Sequence, residues 1–330
     1  MPELIDALPG IALPVEEVTR RLDTMWAGDA SEQSPSEFRA SQMNVVLHFG
    51  KDVDPVDARS RFDGLIRFAQ RYPSRIIVLC PRDTGSGAMT AKLFSQCYIG
   101  STHREMCCCE ALFLSYQPED FGYLSNQVST WLEGDLPTYH WFSGVPDQRI
   151  EGYFDNLLSG VRRCVFDGSI ESANLADLNW PDPHRVYDLA KARILPVRQS
   201  IGQYLSGYSM ETLCCGLERV EIHHVHSFRG EAAAIGAWVL GCLSHHKENP
   251  DAQRLQPSLE ILPCQANEST SKPSLSMTWI FSNENSFQWT MYEEGSRGQI
   301  NSVFNQRSEK LSMHVRLLPL ENALAEALFF

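Results

Sequence analysis

Short apolar runs alternate with helical patterns through the first half of the chain. Residues 44–49 and 76–80 are continuous apolar runs rich in β-branched side chains, and the segment 62–69 between them repeats apolar residues at three- and four-residue steps. Strands that are apolar on both faces are typical of a parallel sheet covered by helices. The pattern therefore predicts a β-α-β unit.

The alternation continues as far as residue 166. It predicts further strands at 93–99, 106–116, 138–142 and 163–166, and helices near 15–28, 123–133 and 149–158. Strands alternating with helices indicate an α/β class. We expect a Rossmann-like, mostly parallel sheet that carries an antiparallel hairpin.

The pattern changes in the second half. A helix is predicted from about 186 to 205, and alternating segments follow at 217–228, 258–262, 274–281, 287–292 and 310–317, with a helix at 231–244. These segments are typical of antiparallel strands packed with helices. The chain is thus divided into an α/β domain at 1–185, a linker helix at 186–215 and an α+β domain at 216–330.

The charge of the chain excludes several classes of partner. There are 28 basic and 41 acidic residues, which gives a formal net charge of −13. An acidic protein without a run of Lys or Arg is repelled by a phosphate backbone and by anionic lipid. We therefore expect neither nucleic acid nor a membrane as partner, and a protein or small molecule remains open.

The sequence also predicts a cytoplasmic location. The first ten residues, MPELIDALPG, contain acidic side chains where a signal peptide needs basic ones. The longest apolar run, 232–243, is too short to cross a bilayer and suits a buried helix.

The ten cysteines show no C-x-x-C spacing, so the sequence predicts neither a structural disulfide nor a zinc site. In the consecutive Cys107, Cys108 and Cys109, the middle thiol points to the opposite sheet face from the outer two. Buried structural thiols are one interpretation, and a surface redox role for Cys108 is the other.

No common catalytic or cofactor motif is present. The turn after the first strand reads GKDVDP, with one glycine and two acids where a dinucleotide fold needs three glycines, so we expect no cofactor. His223, His224 and His226 could approach a metal ion, but alternating histidines on a half-exposed strand need none, and no metal site is predicted.

Ser74 and Arg75 precede a buried strand at a sheet end, so they are candidates for binding a ligand or partner. The alternative is that Ser74 caps a turn and Arg75 pairs with a carboxylate such as Glu110 or Asp135.

Several short motifs, in order along the chain, resemble one family, the bacterial glucose-6-phosphate dehydrogenase assembly proteins (OpcA). The motifs are MNVVLHF (43–49), YPSRIIVLC (72–80), CCEALFL (108–114), DLPTYHWFSG (135–144), RRCVFDGS (162–169), DLAKARILPVR (188–198) and AAAIGAWVLGCL (232–243). The linker motif has Lys191 and Val197 where the family usually has tryptophan, so a contact made there differs in its apolar part.

The resemblance implies a protein without catalytic activity or cofactor that binds glucose-6-phosphate dehydrogenase and activates it allosterically. Partner- or ligand-binding candidates are the polar and aromatic residues of the matching motifs, namely Ser74, Arg75, Glu110, Trp141, Arg193 and Arg198. The second hypothesis is an enzyme or a sensor of sugar phosphates or nucleotides that uses a degenerate Rossmann-like pocket, with Arg75, Arg82 or Arg193 on the phosphate.

Overall fold

A computed structural model describes residues 3–27, 41–82, 89–99, 106–245, 257–264, 273–292 and 297–330. Contacts group the chain into two compact units. The first comprises Met1–Asp167, Glu171–Leu189 and Leu320–Phe330, and the second comprises Gly168–Ile170 and Ala190–Pro319.

The first unit is built on an eight-stranded sheet. Its strands are β1 (Ile11–Leu13), β2 (Met43–Phe49), β3 (Ser74–Pro81), β4 (Thr90–Ile99), β5 (Met106–Tyr116), β6 (Thr138–Ser143), β7 (Arg163–Phe166) and β8 (Val186–Asp188). Their order in space is β1-β4-β5-β3-β2-β6-β7-β8. Only β1–β4 and β4–β5 are antiparallel among these pairs; the other neighbours are parallel.

The six parallel strands follow the order 3-2-1-4-5-6 when they are numbered along the chain. This is the order of the doubly wound dinucleotide-binding fold, in which the switch point lies between the first and the fourth parallel strand. Here those strands are β2 and β6, whose residues pair from Asn44↔Thr138 to Phe49↔Ser143. The predicted mostly parallel α/β sheet with an antiparallel hairpin is confirmed.

Helices complete the first unit. They are α1 (Leu4–Ala7), α2 (Val18–Ala27), α3 (Pro55–Ala69), α4 (Phe121–Trp131), α5 (Asp147–Glu151) and α10 (Leu320–Phe329). Helix α3 begins where the Asp54 carboxylate accepts the Val56 N–H and Pro55 occupies the first turn, a favourable start for a helix. On one sheet face Phe62 of α3 contacts Phe113, and on the other Leu124 of α4 joins the cluster of Ile77 and Leu112.

The second unit contains a six-stranded sheet and helices. The strands are β9 (Leu217–His224), β10 (Ser258–Pro263), β11 (Pro273–Phe281), β12 (Ser286–Tyr292), β13 (Arg297–Phe304) and β14 (Arg307–His314), in the order β10-β9-β11-β12-β13-β14. Only the β9–β10 pair is parallel in this sheet. The helices are α6 (Leu189–Arg193), α7 (Leu195–Leu205), α8 (Met210–Cys214) and α9 (Arg229–His245).

Parts of the second half differ from the sequence-based elements. The expected continuous helix at 186–205 is wrong, because residues 186–188 form β8 and a new helix starts at Leu195, with Pro196 in its first turn. Its residues Val197 and Ile201 are fully buried in the core of the second unit. The predicted domain boundaries stay a prediction.

In the described part of the chain, no helix combines the length and apolar character needed to cross a membrane.

Candidate functional site

Ser74 and Arg75 lie at the amino-terminal end of β3, and Glu110 lies within the neighbouring parallel strand β5, directly opposite Arg75. Arg75 Nε donates to Glu110 Oε1 at 2.6 Å, and Nη1 donates to the Trp131 carbonyl at 3.1 Å. Glu133 Oε1 lies 2.5 Å from Arg75 Nη2. The predicted pairing of Arg75 with Glu110 is confirmed, and the guanidinium is held on several sides within the fold.

Ser74 and Trp141 are also enclosed. Ser74 donates its hydroxyl to the Tyr72 carbonyl at 2.6 Å and is 1% exposed. Trp141 is likewise 1% exposed, and its Nε1 has no hydrogen-bond partner among the described residues. A direct contact of either side chain with a partner therefore requires the surrounding structure to move, and their binding role stays a prediction.

Arg193 and Arg198 belong to different helices, α6 and α7. Arg193 Nε donates to Glu231 Oε1 at 2.5 Å, and the other oxygen of that carboxylate accepts the Ser169 hydroxyl. Glu231 is 1% exposed. Arg198 is half-buried, and its Nε is buried without a hydrogen-bond partner among the described residues. In the described contacts, the guanidinium groups of Arg193 and Arg198 do not share a carboxylate partner.

The expectation of no disulfide is wrong at Cys97, which is disulfide-bonded. The β4–β5 backbone pairing sets Cys97 opposite Cys108, two positions that sequence reasoning did not connect. The side chain of Cys108, the redox candidate, lies outside the described residues. The structure records free thiols at Cys80, Cys164, Cys214, Cys215 and Cys242.

The histidine group on β9 has ordinary partners. His223 Nε2 lies 3.6 Å from Glu221, and His224 Nδ1 is 2.9 Å from the Val225 carbonyl. Among the described residues, no three His, Cys, Asp or Glu side chains are arranged to hold a metal ion.

The switch point at the carboxyl ends of β2 and β6 is the position where ligands bind in doubly wound folds. Here the two turns that leave these strands touch at their backbones. Gly50 N–H donates to the Ser143 carbonyl at 2.8 Å, and a Cβ atom added to Gly50 would lie 1.6 Å from the Gly144 carbonyl oxygen. The backbones therefore meet where a pyrophosphate lies in a dinucleotide-binding protein.

The groups that would bind an anion at this end of the sheet already have carboxylate partners. The Asp54 side chain accepts an N–H at the start of α3. Gly144 N–H donates to both oxygens of Glu171, at 3.0 and 3.2 Å. Burial raises the pKa of Glu171 to about 7, opposed by the Gly144 hydrogen bond, while nearby Asp167 raises it further. The chain's own acids thus occupy positions that favour phosphate.

A buried polar cluster joins the side chains of β2, β5 and β6. His48 Nδ1 is 3.2 Å from His140 Nε2, and His48 Nε2 is 2.6 Å from the Tyr116 hydroxyl. Burial lowers the pKa of His48 to about 3 and that of His140 well below its usual value, so both rings are neutral at physiological pH. Neutral rings hold the core together by hydrogen bonds and do not present charge to a ligand.

Sequence reasoning missed the contributions of Glu171 and the buried histidine cluster. A signal for the cluster was present, because His48 and His140 interrupt two apolar strands. No comparable signal marks Glu171, which lies in a loop and reaches Gly144 across 27 positions.

Comparison with known proteins shows that part of the chain is similar to one family. Residues 66–180 match the family model described as "Glucose-6-phosphate dehydrogenase subunit N-terminal domain". No curated protein matches the chain. The motifs at 43–49, 188–198 and 232–243 lie outside the matched segment, whereas those from Tyr72 to Ser169 lie inside it. The resemblance to the glucose-6-phosphate dehydrogenase assembly family that the motifs indicated is thus confirmed, on the match over residues 66–180.

Proposed function

We propose that this protein binds glucose-6-phosphate dehydrogenase as an assembly factor and activates it allosterically, without catalysing a reaction itself. The observation that carries the proposal is the family match over residues 66–180, since the description of that family names glucose-6-phosphate dehydrogenase. Activation then requires that the protein bind the active form of the enzyme more tightly than the inactive form.

The geometry of the switch point supports a role without a cofactor. A dinucleotide needs a glycine-rich turn whose amides point at the pyrophosphate. In this chain the Gly50 and Gly144 turns are in backbone contact, and carboxylates accept the Val56 and Gly144 amides. The chain thus has the strand order of a dinucleotide-binding fold, but its own backbone and carboxylates occupy the ligand position. One fold can host unrelated functions, so this strand order does not require a cofactor.

The second hypothesis, a sugar-phosphate or nucleotide sensor, needs arginines that converge on one cleft. The described contacts do not favour it. Arg75 pairs with Glu110, Arg82 lies 3.9 Å from Glu3, and Arg193 pairs with Glu231. Arg75 lies near the start of β3 and Arg82 directly follows its end, so the two are about 23 Å apart along an extended strand.

The test is reconstitution with purified dehydrogenase. We expect the two proteins to co-elute in size-exclusion chromatography and the enzyme's kcat/KM for glucose 6-phosphate to rise on addition of this protein. Unchanged activity, oligomeric state and substrate affinity would refute the proposal. Calorimetry with glucose 6-phosphate and nucleotides, in the absence of the enzyme, tests the sensor hypothesis, which predicts saturable heat.

A further inference from the structure

The last strand of the second unit, β14, differs from the other strands in its exposure. It lies at one end of the six-stranded sheet and pairs with β13 along one edge only. Seven of its eight residues are exposed and Met313 is intermediate, so both faces of the strand reach solvent. An edge strand of this kind has backbone N–H and C=O groups available to another extended segment.

The charge of this edge is opposite to that of the chain. Between Arg307 and Arg316 there are three basic residues, Arg307, Lys310 and Arg316, and one acid, Glu309, which leaves two positive charges in a protein of net −13. All three cations are exposed, and none forms an ion pair with a carboxylate in the described ranges. Elsewhere the exposed arginines Arg59 and Arg185 pair with nearby acids.

The single acid of the strand is already engaged. Glu309 Oε2 accepts the hydroxyls of Tyr204 and Tyr208, at 2.8 and 3.1 Å, and Tyr204 also contacts Ser302 Oγ at 2.5 Å. These bonds hold β14 against helix α7 and its following turn. The carboxylate is therefore directed toward its own unit, and the positive side chains dominate the free edge.

The strand is also preformed. The β13–β14 hairpin turns at Asn305 and Gln306, with φ angles of 51° and 65°, the left-handed pair that suits the twist of a tight hairpin. The pairing then runs without a break from Phe304↔Arg307 to Arg297↔His314. A fixed edge loses little conformational freedom when a partner binds, which favours strand addition.

We propose that the free edge of β14 receives an acidic extended segment of glucose-6-phosphate dehydrogenase, which adds to the sheet as a seventh strand. The inference rests on the proposed function for the identity of the partner. Backbone hydrogen bonds supply the pairing, and carboxylates of the added strand face Arg307 and Lys310. An apolar side chain lies beside Leu311, which is 44% exposed in the middle of the strand.

The competing explanation is protection of the edge. Charged side chains, lysine above all, keep edge strands of natural proteins from pairing with one another. The two explanations predict different consequences when the charge is changed. Protection predicts self-association with binding of the enzyme intact, whereas docking predicts loss of binding.

The first experiment measures affinity for the purified dehydrogenase. We expect Lys310→Glu to weaken binding about tenfold and the triple variant Arg307→Glu/Lys310→Glu/Arg316→Glu on the order of a hundredfold, with thermal midpoints unchanged. Arg21→Glu is the matched control, because Arg21 is exposed in α2, undergoes the same charge change and makes no described ion pair, so binding should change less than about threefold. Full affinity of the triple variant overturns the inference.

Hydrogen exchange tests strand addition directly. In the complex, the β14 amides that do not pair with β13 should gain protection, and the triple variant should not gain it. Protection confined to other segments overturns the seventh-strand geometry even if the charges matter.

A peptide-binding experiment tests this inference independently of the proposed function. Labelled octapeptides with the repeat Glu-Glu-Thr-Thr, which places carboxylates on both faces of a strand, or Lys-Lys-Thr-Thr, are titrated with the full chain by fluorescence anisotropy. Binding of the acidic peptide to the wild type, and not to the triple variant, supports the edge as an acidic-strand site even if the dehydrogenase does not bind. Failure of the acidic peptide and the enzyme together overturns both proposals.

Discussion

Gly144 donates its backbone N–H to both carboxylate oxygens of Glu171, at 3.0 and 3.2 Å, beside the carboxyl end of β6. This bond ties the loop that follows β7 to the turn that follows β6. The carboxylate is nonetheless buried, at 3% exposure, and burial raises its pKa to about 7. The contact is therefore sensitive to pH in the neutral range.

The first prediction is a pH dependence that originates at Glu171. Because its pKa is raised on folding from 4.5 to about 7, the folded state binds a proton that the unfolded state releases between these values. The resulting stabilisation is complete below pH 4.5 and is lost as the pH rises through about 7. Glu171→Gln keeps an acceptor oxygen but does not titrate. We therefore expect its unfolding free energy, taken relative to that of the wild type, to be roughly 2–3 kcal/mol larger at pH 8 than at pH 5.

The measurement is the free energy of unfolding in denaturant at both pH values, taken as the difference between variant and wild type so that other titrating groups cancel. A difference that is the same at pH 5 and pH 8 would show that Glu171 titrates in its ordinary range.

The second prediction concerns the backbone contact at the switch point. Gly50→Ala places a methyl group 1.6 Å from the Gly144 carbonyl oxygen, and the obstacle is backbone that cannot rotate away. We expect a loss of at least about 3 kcal/mol in unfolding free energy. Gly134→Ala is the matched control, since a Cβ there meets nothing within 4 Å, and its stability should stay within about 1 kcal/mol of wild type.

A Gly50→Ala protein of normal stability would mean that the two turns separate easily. The crevice could then open to admit a ligand, and the argument for an occupied switch point would fail.

Local patterns predicted the first half of the fold well, for physical reasons. Doubly buried strands such as residues 44–49 and 76–80 carry their apolar signal in consecutive residues. The pairing of Arg75 with Glu110 joins two polar residues that lie opposite each other in the β3–β5 register. The strand at 297–304 was missed, because its polar alternation resembles a loop until neighbours cover one face. Helix α10 was missed as well.

The candidate site was harder to predict because its contacts join distant positions. Glu171 reaches Gly144, and Gly50 meets the same turn from almost a hundred residues away, so spacing in the sequence carries no sign of either. The disulfide-bonded state of Cys97 also depends on register across two strands rather than on a local cysteine motif.

The third prediction tests whether Arg75 is structural. Arg75→Ala removes the positive charge that bonds Glu110, which is 4% exposed, and so weakens the compensation of a buried carboxylate. We expect a loss of about 3–5 kcal/mol in unfolding free energy. The double variant Arg75→Leu/Glu110→Leu should be less destabilised than Arg75→Ala, because both charges leave the core together.

Thermal or denaturant unfolding of the two variants decides this point. If Arg75→Ala unfolds like the wild type while affinity for the dehydrogenase falls, Arg75 contacts the partner and the ion pair is incidental.

The fourth prediction concerns Arg193, which the sequence offered as a residue facing the partner. In the structure its guanidinium bonds the carboxylate of Glu231, which also accepts the Ser169 hydroxyl. Arg193→Glu would set two carboxylates against each other where Glu231 is 1% exposed, so we expect a loss of about 3–5 kcal/mol in unfolding free energy. Lys191→Glu, an equal charge change at an exposed position of the same helix, should cost less than about 0.5 kcal/mol.

The decisive comparison is between stability and activation measured on the same preparations. A destabilised Arg193→Glu protein whose folded fraction still activates the dehydrogenase assigns Arg193 to the support of helix α9 through Glu231. If instead the unfolding free energy is unchanged and activation is lost, the Arg193–Glu231 pair contributes little to folding, and Arg193 belongs to the surface that the enzyme contacts. Arg21→Glu, at an exposed position of α2 outside the linker motif, changes the net charge equally. A general electrostatic effect would therefore lower activation in both Arg21→Glu and Arg193→Glu, whereas a specific contact lowers it only in Arg193→Glu.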